Sequence, residues 1–204
     1  MFKYLKYIFL YIILIFHTAC LFSEEKIIPI VYEGKYIDLT NERIKFYLPP
    51  SFEMLHHLDY EKVIKSTEDS TKRDNLLKRY NYLKWSKGNA YFFLDTLYGV
   101  EMNVKMMEYV PFSKNDSKYV SAFLLQSCRE ISNLYNTDCK RLTSGFSDNR
   151  RTQLFKGIYE VKIDDENIYN TIYLISSNYK SFIVHFYSRF EADFDPFIQK
   201  TIVQ

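Results

Sequence analysis

Four histidines and three cysteines are the side chains of this 204-residue chain best suited to acid–base, nucleophilic or metal chemistry. His56 and His57 are adjacent. On a helix their side chains diverge by about 100 degrees and on a strand they face opposite ways, so they do not converge on one metal ion; they read as surface histidines. His185 stands between Val184 and Phe186 and, on a strand, faces away from both. Cys128 follows Ser127 in a helical stretch without the glycine turn of a nucleophile elbow. A cysteine nucleophile needs a depressed pKa and a partner histidine. A hydrolase would therefore have to join Cys128 to His185, and no spacing does so; Cys128 reads as core. No histidine stands at ligand spacing to a cysteine. Glu191, Asp193 and Asp195 open a helical stretch but lack the glycine and final glutamate of a calcium loop, so they read as compensating a helix dipole. This reading assigns no catalytic residue, no metal and no cofactor.

Cys20 belongs to a different chemistry. Lys3 and Lys6 precede an uncharged run from Tyr7 to Phe16, and His17-Thr18-Ala19-Cys20 follows. A basic start, a short apolar run and a small residue before a cut make a secretory signal peptide over residues 1–22. The run falls short of the roughly 20 apolar residues a spanning helix needs. Thr18-Ala19-Cys20 resembles the end of a bacterial lipobox, in which the cysteine sulfur takes a diacylglycerol and becomes the new N-terminus. His17 departs from that motif, which has an aliphatic residue there. Cleavage after Ser23 and an uncleaved signal anchor are the alternatives. Lipidation at Cys20 is the reading taken, because Glu24-Glu25-Lys26 begins a polar tether directly after it. Several acyl chains anchor firmly where one binds marginally. The expected location is the cell envelope, membrane-tethered or periplasmic.

Residues 24–204 make one domain, about 180 residues with room for one sizeable core. Once Lys3 and Lys6 leave with the leader, 25 basic residues face 25 acidic ones. That balance leaves no electrostatic footprint for nucleic acid. The nineteen tyrosines and seventeen phenylalanines accompany abundant Lys, Ile and Asn, as an AT-rich genome would encode, and are discounted as a binding signature. In an exported chain Cys128 and Cys139 either form a disulfide, worth about 2–4 kcal/mol, or remain buried thiols. Trp85 and the basic group Lys140, Arg141, Arg150 and Arg151 are the candidate interface residues. Their plainer readings are a core cap and a solvated loop face.

The elements that must position these groups follow from periodicity. Lys35–Leu39 and Arg43–Leu48 are short strands; in the second, Ile44, Phe46 and Leu48 share one side and Pro49 ends it. A polar, helix-leaning insert runs from Ser51 to Lys84, with a helix over Tyr60–Lys65 capped by Asp59, a break at Ser66–Thr71, and a second stretch carrying Leu76, Leu77, Tyr80 and Leu83. Asn89–Leu94 and Tyr98–Val110 form a hairpin. Asn115 or Asp116 caps a long amphipathic helix whose buried stripe is Tyr119, Val120, Phe123, Leu124, Ser127, Cys128, Ile131 and Leu134. A short strand, Lys140–Thr143, precedes an antiparallel meander of Gln153–Ile163, Ile168–Ser176 and Lys180–Tyr187. A helix over Asp193–Val203 closes the chain.

Four stretches together resemble the Mog1/PsbP-like fold family. They are IKFYLPPSFE at Ile44–Glu53, the helix from Asn115 to Tyr135, NTIYLISSNYKSFIVHFYS at Asn170–Ser188 and DFDPFIQKTIV at Asp193–Val203. The resemblance implies an α/β (α+β) domain, an antiparallel sheet flanked by helices in a three-layer α/β/α sandwich. It also implies use as a binding or assembly module, as in photosystem II extrinsic subunits, a Ran-binding import factor and small exported bacterial proteins. The leading expectation is thus a non-enzymatic envelope module acting on an unknown envelope protein or complex. The alternative is a carrier of a small ligand or lipid in an aromatic-lined pocket between sheet and helix. Fold alone does not decide between them.

Overall fold

The computed structural model describes residues 33–134, 137–149, 151–163 and 166–204. The leader, Cys20 and Arg150 lie outside the described residues.

Two antiparallel sheets carry the fold. The smaller one has β1 (Lys35–Leu39), β2 (Ile44–Leu48) and β10 (Ile202–Val203) in the order β1-β2-β10. The larger has seven strands: β3 (Phe52–Leu55), β4 (Ala90–Asp95), β5 (Glu101–Met107), β6 (Cys139–Asn149), β7 (Thr152–Ile163), β8 (Glu166–Ser177) and β9 (Lys180–Ser188). Their order is β3-β4-β5-β9-β8-β7-β6. After β5 the helix α3 (Ser117–Leu134) carries the chain to the far edge, and the four-stranded meander then returns to lay β9 against β5. That return sets Asn103 opposite His185 and Val104 opposite Val184.

Alternation along β5 and β9 divides the core. Met102, Val104 and Met106 with Phe182, Val184 and Phe186 meet Leu39, Ile44, Phe46 and Leu48 of the small sheet. Each such side chain withdrawn from water contributes about 1.5–3 kcal/mol. The opposite face takes the helices. α1 (His57–Lys65) and α2 (Ser70–Trp85) pack Tyr60, Ile64 and Tyr80 on Ala90 and Phe92. α3 packs Val120, Leu124 and Cys128 on Phe155, Tyr159, Ile172 and Ile183.

Local chemistry explains where elements begin. Asp69 caps α2 by accepting from the Lys72 amide at 2.8 Å. Before α3, Ser113 and Asp116 form a capping box around a single 3-10 turn, Lys114–Asp116, so the cap lies ahead of the expected Asn115 or Asp116. α1 starts at His57 rather than after Asp59; Asp59 sits in its first turn and pairs with Lys62 at 3.0 Å. Within the stretch expected to be helical, Phe52–Leu55 is instead β3, held to β4 by Phe52 opposite Asp95 and Leu55 opposite Phe92.

Three further expectations change. The buried stripe of α3 is narrower: Val120, Leu124, Cys128 and Ser132 are covered, whereas Tyr119 is 75% and Phe123 45% exposed. Tyr119 and Phe123 lie one position off a four-residue row and rotate out of the contact. β6 runs eleven residues, well beyond Lys140–Thr143. It is an edge strand, largely exposed, so backbone pairing with β7 rather than an apolar pattern defines it. The closing helix is one turn, α4 (Asp195–Ile198), followed by β10. Tyr173 and Lys156 reach the Asp195 carboxylate at 2.7 and 2.8 Å and hold that turn against the large sheet. β-Branched Ile202 and Val203 then pair with Lys45 and Ile44.

Cys128 on α3 and Cys139 at the start of β6 are joined by a disulfide, with Cα atoms 6.1 Å apart.

Candidate functional site

α2 and α3 cover the two flanks of the helical face and leave its middle open. The opening is a cleft of about 720 Å³ whose floor is β5 and β9. Asn103, Lys105 and Met107 rise from β5, and Ile183, His185 and Tyr187 from β9. α2 supplies a wall of Lys78, Arg79, Tyr82 and Leu83; α3 supplies Phe123, Gln126, Ser127 and Glu130. Tyr82 and Phe123 are exposed aromatics on facing helices, one on each side of the opening.

Buried polar side chains run through the floor and into the next strand. Asn103, His185 and Asn170 occupy the adjacent strands β5, β9 and β8, and all three are buried. His185 Nδ1 lies 3.2 Å from Asn170 Oδ1. With that oxygen as acceptor, the neutral ring carries its proton on Nδ1 and leaves Nε2 as an acceptor. Burial, reinforced by the Arg79 charge, lowers the His185 pKa to about 3. Asn103 is 2% exposed, and neither its amide oxygen nor its amide nitrogen has a hydrogen-bond partner. The Asn170 amide nitrogen is likewise unpartnered.

Two cations flank this row, half-buried Arg79 and buried Lys105, and both are engaged. Arg79 donates to Glu101 at 2.8 Å and to the Tyr60 hydroxyl at 3.3 Å, and its guanidinium lies 4.4 Å from the Tyr187 ring centre. Burial opposes the Arg79 charge, but Tyr60, Tyr187 and Glu101 outweigh it and raise its pKa further. Tyr60 is raised as well, first by burial and then by the Glu101 carboxylate. Lys105 donates to the carbonyls of Leu83, Ser86 and Gly88 at 2.6, 2.9 and 2.6 Å. Its three protons are thereby used in closing the end of α2, where carbonyls lack helical partners. Burial lowers its pKa. Gly88 makes the turn at φ +90, with its Cα packed so closely on the Met106 carbonyl that a Cβ would collide with it.

This geometry supports recognition by hydrogen bonds and apolar contact. His185 meets an amide rather than a carboxylate. The Ser127 hydroxyl turns back to the Phe123 carbonyl at 3.4 Å, and the Cys128 sulfur is held in the disulfide. His56 is exposed, while His57 is half-buried, its ring 5.5 Å from that of Phe92; the two imidazole planes cross at 88°. Burial, then Lys84, lowers the His57 pKa. Among the described residues no group of three His, Cys, Asp or Glu side chains is placed to hold a metal ion. No described helix is long and apolar enough to cross a membrane.

The residues singled out from sequence fall elsewhere. Trp85 ends α2, 77% exposed, with the Lys84 ammonium 5.1 Å from its ring centre, and it does not line the cleft. Arg151 is exposed in the turn between β6 and β7. β5, β9 and β8 separate β4, next after Trp85, from β7, next after Arg151. The signal for the cleft lay in β9: Phe182-Ile183-Val184-His185-Phe186 is apolar on both faces, as in a strand covered on both sides. Its partner β5 must then be covered too, which buries Asn103 and Lys105 instead of leaving them in water.

No protein-family model matches the chain, and no curated protein sequence does. Solved structures do. Cyanobacterial PsbP (CyanoP) from Synechocystis superposes with a TM-score of 0.57 at 11% identity, over 83% of this chain and 92% of that one. The Ran-binding protein Mog1p of Saccharomyces cerevisiae gives a TM-score of 0.47 at 12% identity, over 78% of each chain. At such identities the likeness speaks of fold: this chain is a mixed α/β domain with the Mog1/PsbP-like fold.

Proposed function

We propose that this protein is a non-enzymatic binding module of the cell envelope, exported by its leader and tethered through a lipid on Cys20, and that the cleft between α2 and α3 takes a small ligand. The observation that carries the reading is the cleft itself, about 720 Å³ with aromatic and aliphatic walls and a floor holding a few buried polar groups. Ligand sites are of that size and make-up. The geometry therefore favours the carrier over a module acting only through its outer surface. Export is supported by the leader composition and by the Cys128–Cys139 disulfide, a bond that persists in oxidising compartments.

Native mass spectrometry of the full chain recovered from its membrane fraction tests both parts. The expected result is a chain beginning at Cys20 with added acyl mass, carrying a second, non-covalent mass that heat or organic solvent releases. A chain without any released mass, from cells grown under several conditions, counts against the carrier. A chain beginning at Met1 counts against the lipid tether. Trp85 supports a second reading, a protein partner docked at the end of α2, because a lone exposed tryptophan is a common interface anchor.

A further inference from the structure

The carboxamide of Asn103 is a donor and an acceptor that the fold buries and leaves unmatched. Native interiors pair such groups almost without exception, with protein, with ordered water or with a ligand. The other polar groups of the cleft have assigned work: Lys105 closes α2, Arg79 holds Glu101, and His185 pairs with Asn170. Asn103 alone on β5 is buried, unmatched at both atoms and part of the cleft lining.

Resting on the carrier reading above, we propose that the cleft selects an uncharged molecule bearing a primary amide next to an apolar body. The ligand amide N–H donates to Asn103 Oδ1 while its carbonyl accepts from Asn103 Nδ2. The apolar body lies against Met107, Phe123 and Ile183. Charge decides the class of head group. A carboxylate finds Arg79 and Lys105 already engaged with Glu101 and the end of α2; it satisfies the Asn103 nitrogen but sets an anion against the Asn103 oxygen. An ammonium satisfies the oxygen but faces Arg79 and Lys105. An ester offers an acceptor and no donor. Of these head groups only the amide matches both Asn103 atoms at once, and leaving either of them unpaired is the source of discrimination.

The test uses the full-length ¹⁵N-labelled chain and three soluble probes with one apolar body: phenylacetamide, phenylacetate and methyl phenylacetate. Binding is followed by the side-chain amide resonances of Asn103, identified by their loss in Asn103→Leu, and by the backbone resonances of Phe123 and Ile183. The expected result is that phenylacetamide binds about tenfold tighter than either analogue, the effect of one matched polar pair. In Asn103→Leu the three probes then bind alike. Asn103→Ser, which also removes the carboxamide, gives the same levelling if the leucine variant does not fold. Equal binding of all three probes to the unaltered chain overturns the amide inference and leaves the cleft reading standing. Tighter binding of phenylacetate overturns it in favour of an anion site. If no probe moves Phe123 or Ile183, and the Asn103 amide shows only exchange with bound water, the carrier reading fails along with it.

Discussion

The neutral state of His185 makes a quantitative demand on acid stability. Unfolded, the imidazole titrates near 6.5; folded, burial and Arg79 lower it to about 3. The unfolded chain therefore binds a proton that the folded chain refuses between those values. Stability from this group is present in full above pH 6.5 and is lost as pH falls towards 3, because the slope follows the excess of protons on the unfolded state. At pH 4.5 the medium is two units below the unfolded pKa of the imidazole, so the loss through His185 alone is about 3 kcal/mol. Urea unfolding at pH 7 and pH 4.5 measures it, for the unaltered chain and for His185→Gln. Carboxylates titrate in both proteins and cancel in the comparison. The expected result is that the unaltered chain loses about 3 kcal/mol more than the variant over that interval, a midpoint difference of about 1 M urea or more. Equal losses, or an imidazole titrating above pH 5 by NMR in the folded protein, would refute the argument that His185 is held neutral by burial in the cleft floor.

Other perturbations follow from the same contacts. Reducing Cys128–Cys139, which closes a separation of 11 residues, removes about 3 kcal/mol by loop-closure entropy. That lowers the melting temperature by about 8 °C in a domain of this size, seen in thermal melts with and without reductant. Lys105→Met leaves the carbonyls of Leu83, Ser86 and Gly88 without their shared donor; the expected loss is about 2–4 kcal/mol, with early hydrogen exchange at the end of α2. Trp85→Ala changes stability by less than about 0.5 kcal/mol because the ring is exposed. Crosslinking yield to any protein partner docked there falls in that variant, while probe binding in the cleft does not change.

The strands of the meander were legible because their alternation and tight turns are local properties, and β7, β8 and β9 stand within one or two residues of where patterning puts them. β2 was legible for the same reason, its Ile44, Phe46 and Leu48 side fully buried. Legibility failed where a long-range partner decides. Phe52–Leu55 is a strand because β4 accepts it, and β6 is long because β7 is. Ile202 and Val203 are a strand because β2 is available, although the preceding Phe194, Phe197 and Ile198 have helical spacing. The cleft was partly visible: an aromatic-lined space between sheet and helix was anticipated, but its floor was not. Glu101, Asn103 and Lys105 alternate with Met102, Val104 and Met106 as a solvated face would. Only the knowledge that β9 lies beside β5 and is apolar on both faces turns that polar row into a buried one.

The small sheet draws its strands from opposite ends of the sequence. β2 is flanked by β1 on one side and β10 on the other, Gln204 donates its amide to the Arg43 carbonyl, and Lys180 reaches the carbonyls of Glu42 and Gln204. A layer assembled this way cannot close early. Until Ile202 and Val203 dock, β2 has only β1 beside it and the apolar face of β5 and β9 lacks part of its cover. Pairing over so long a separation slows folding, since loop closure precedes the contacts that reward it. The layer's closure is thus governed by one contact between strands far apart in sequence, β10 on β2.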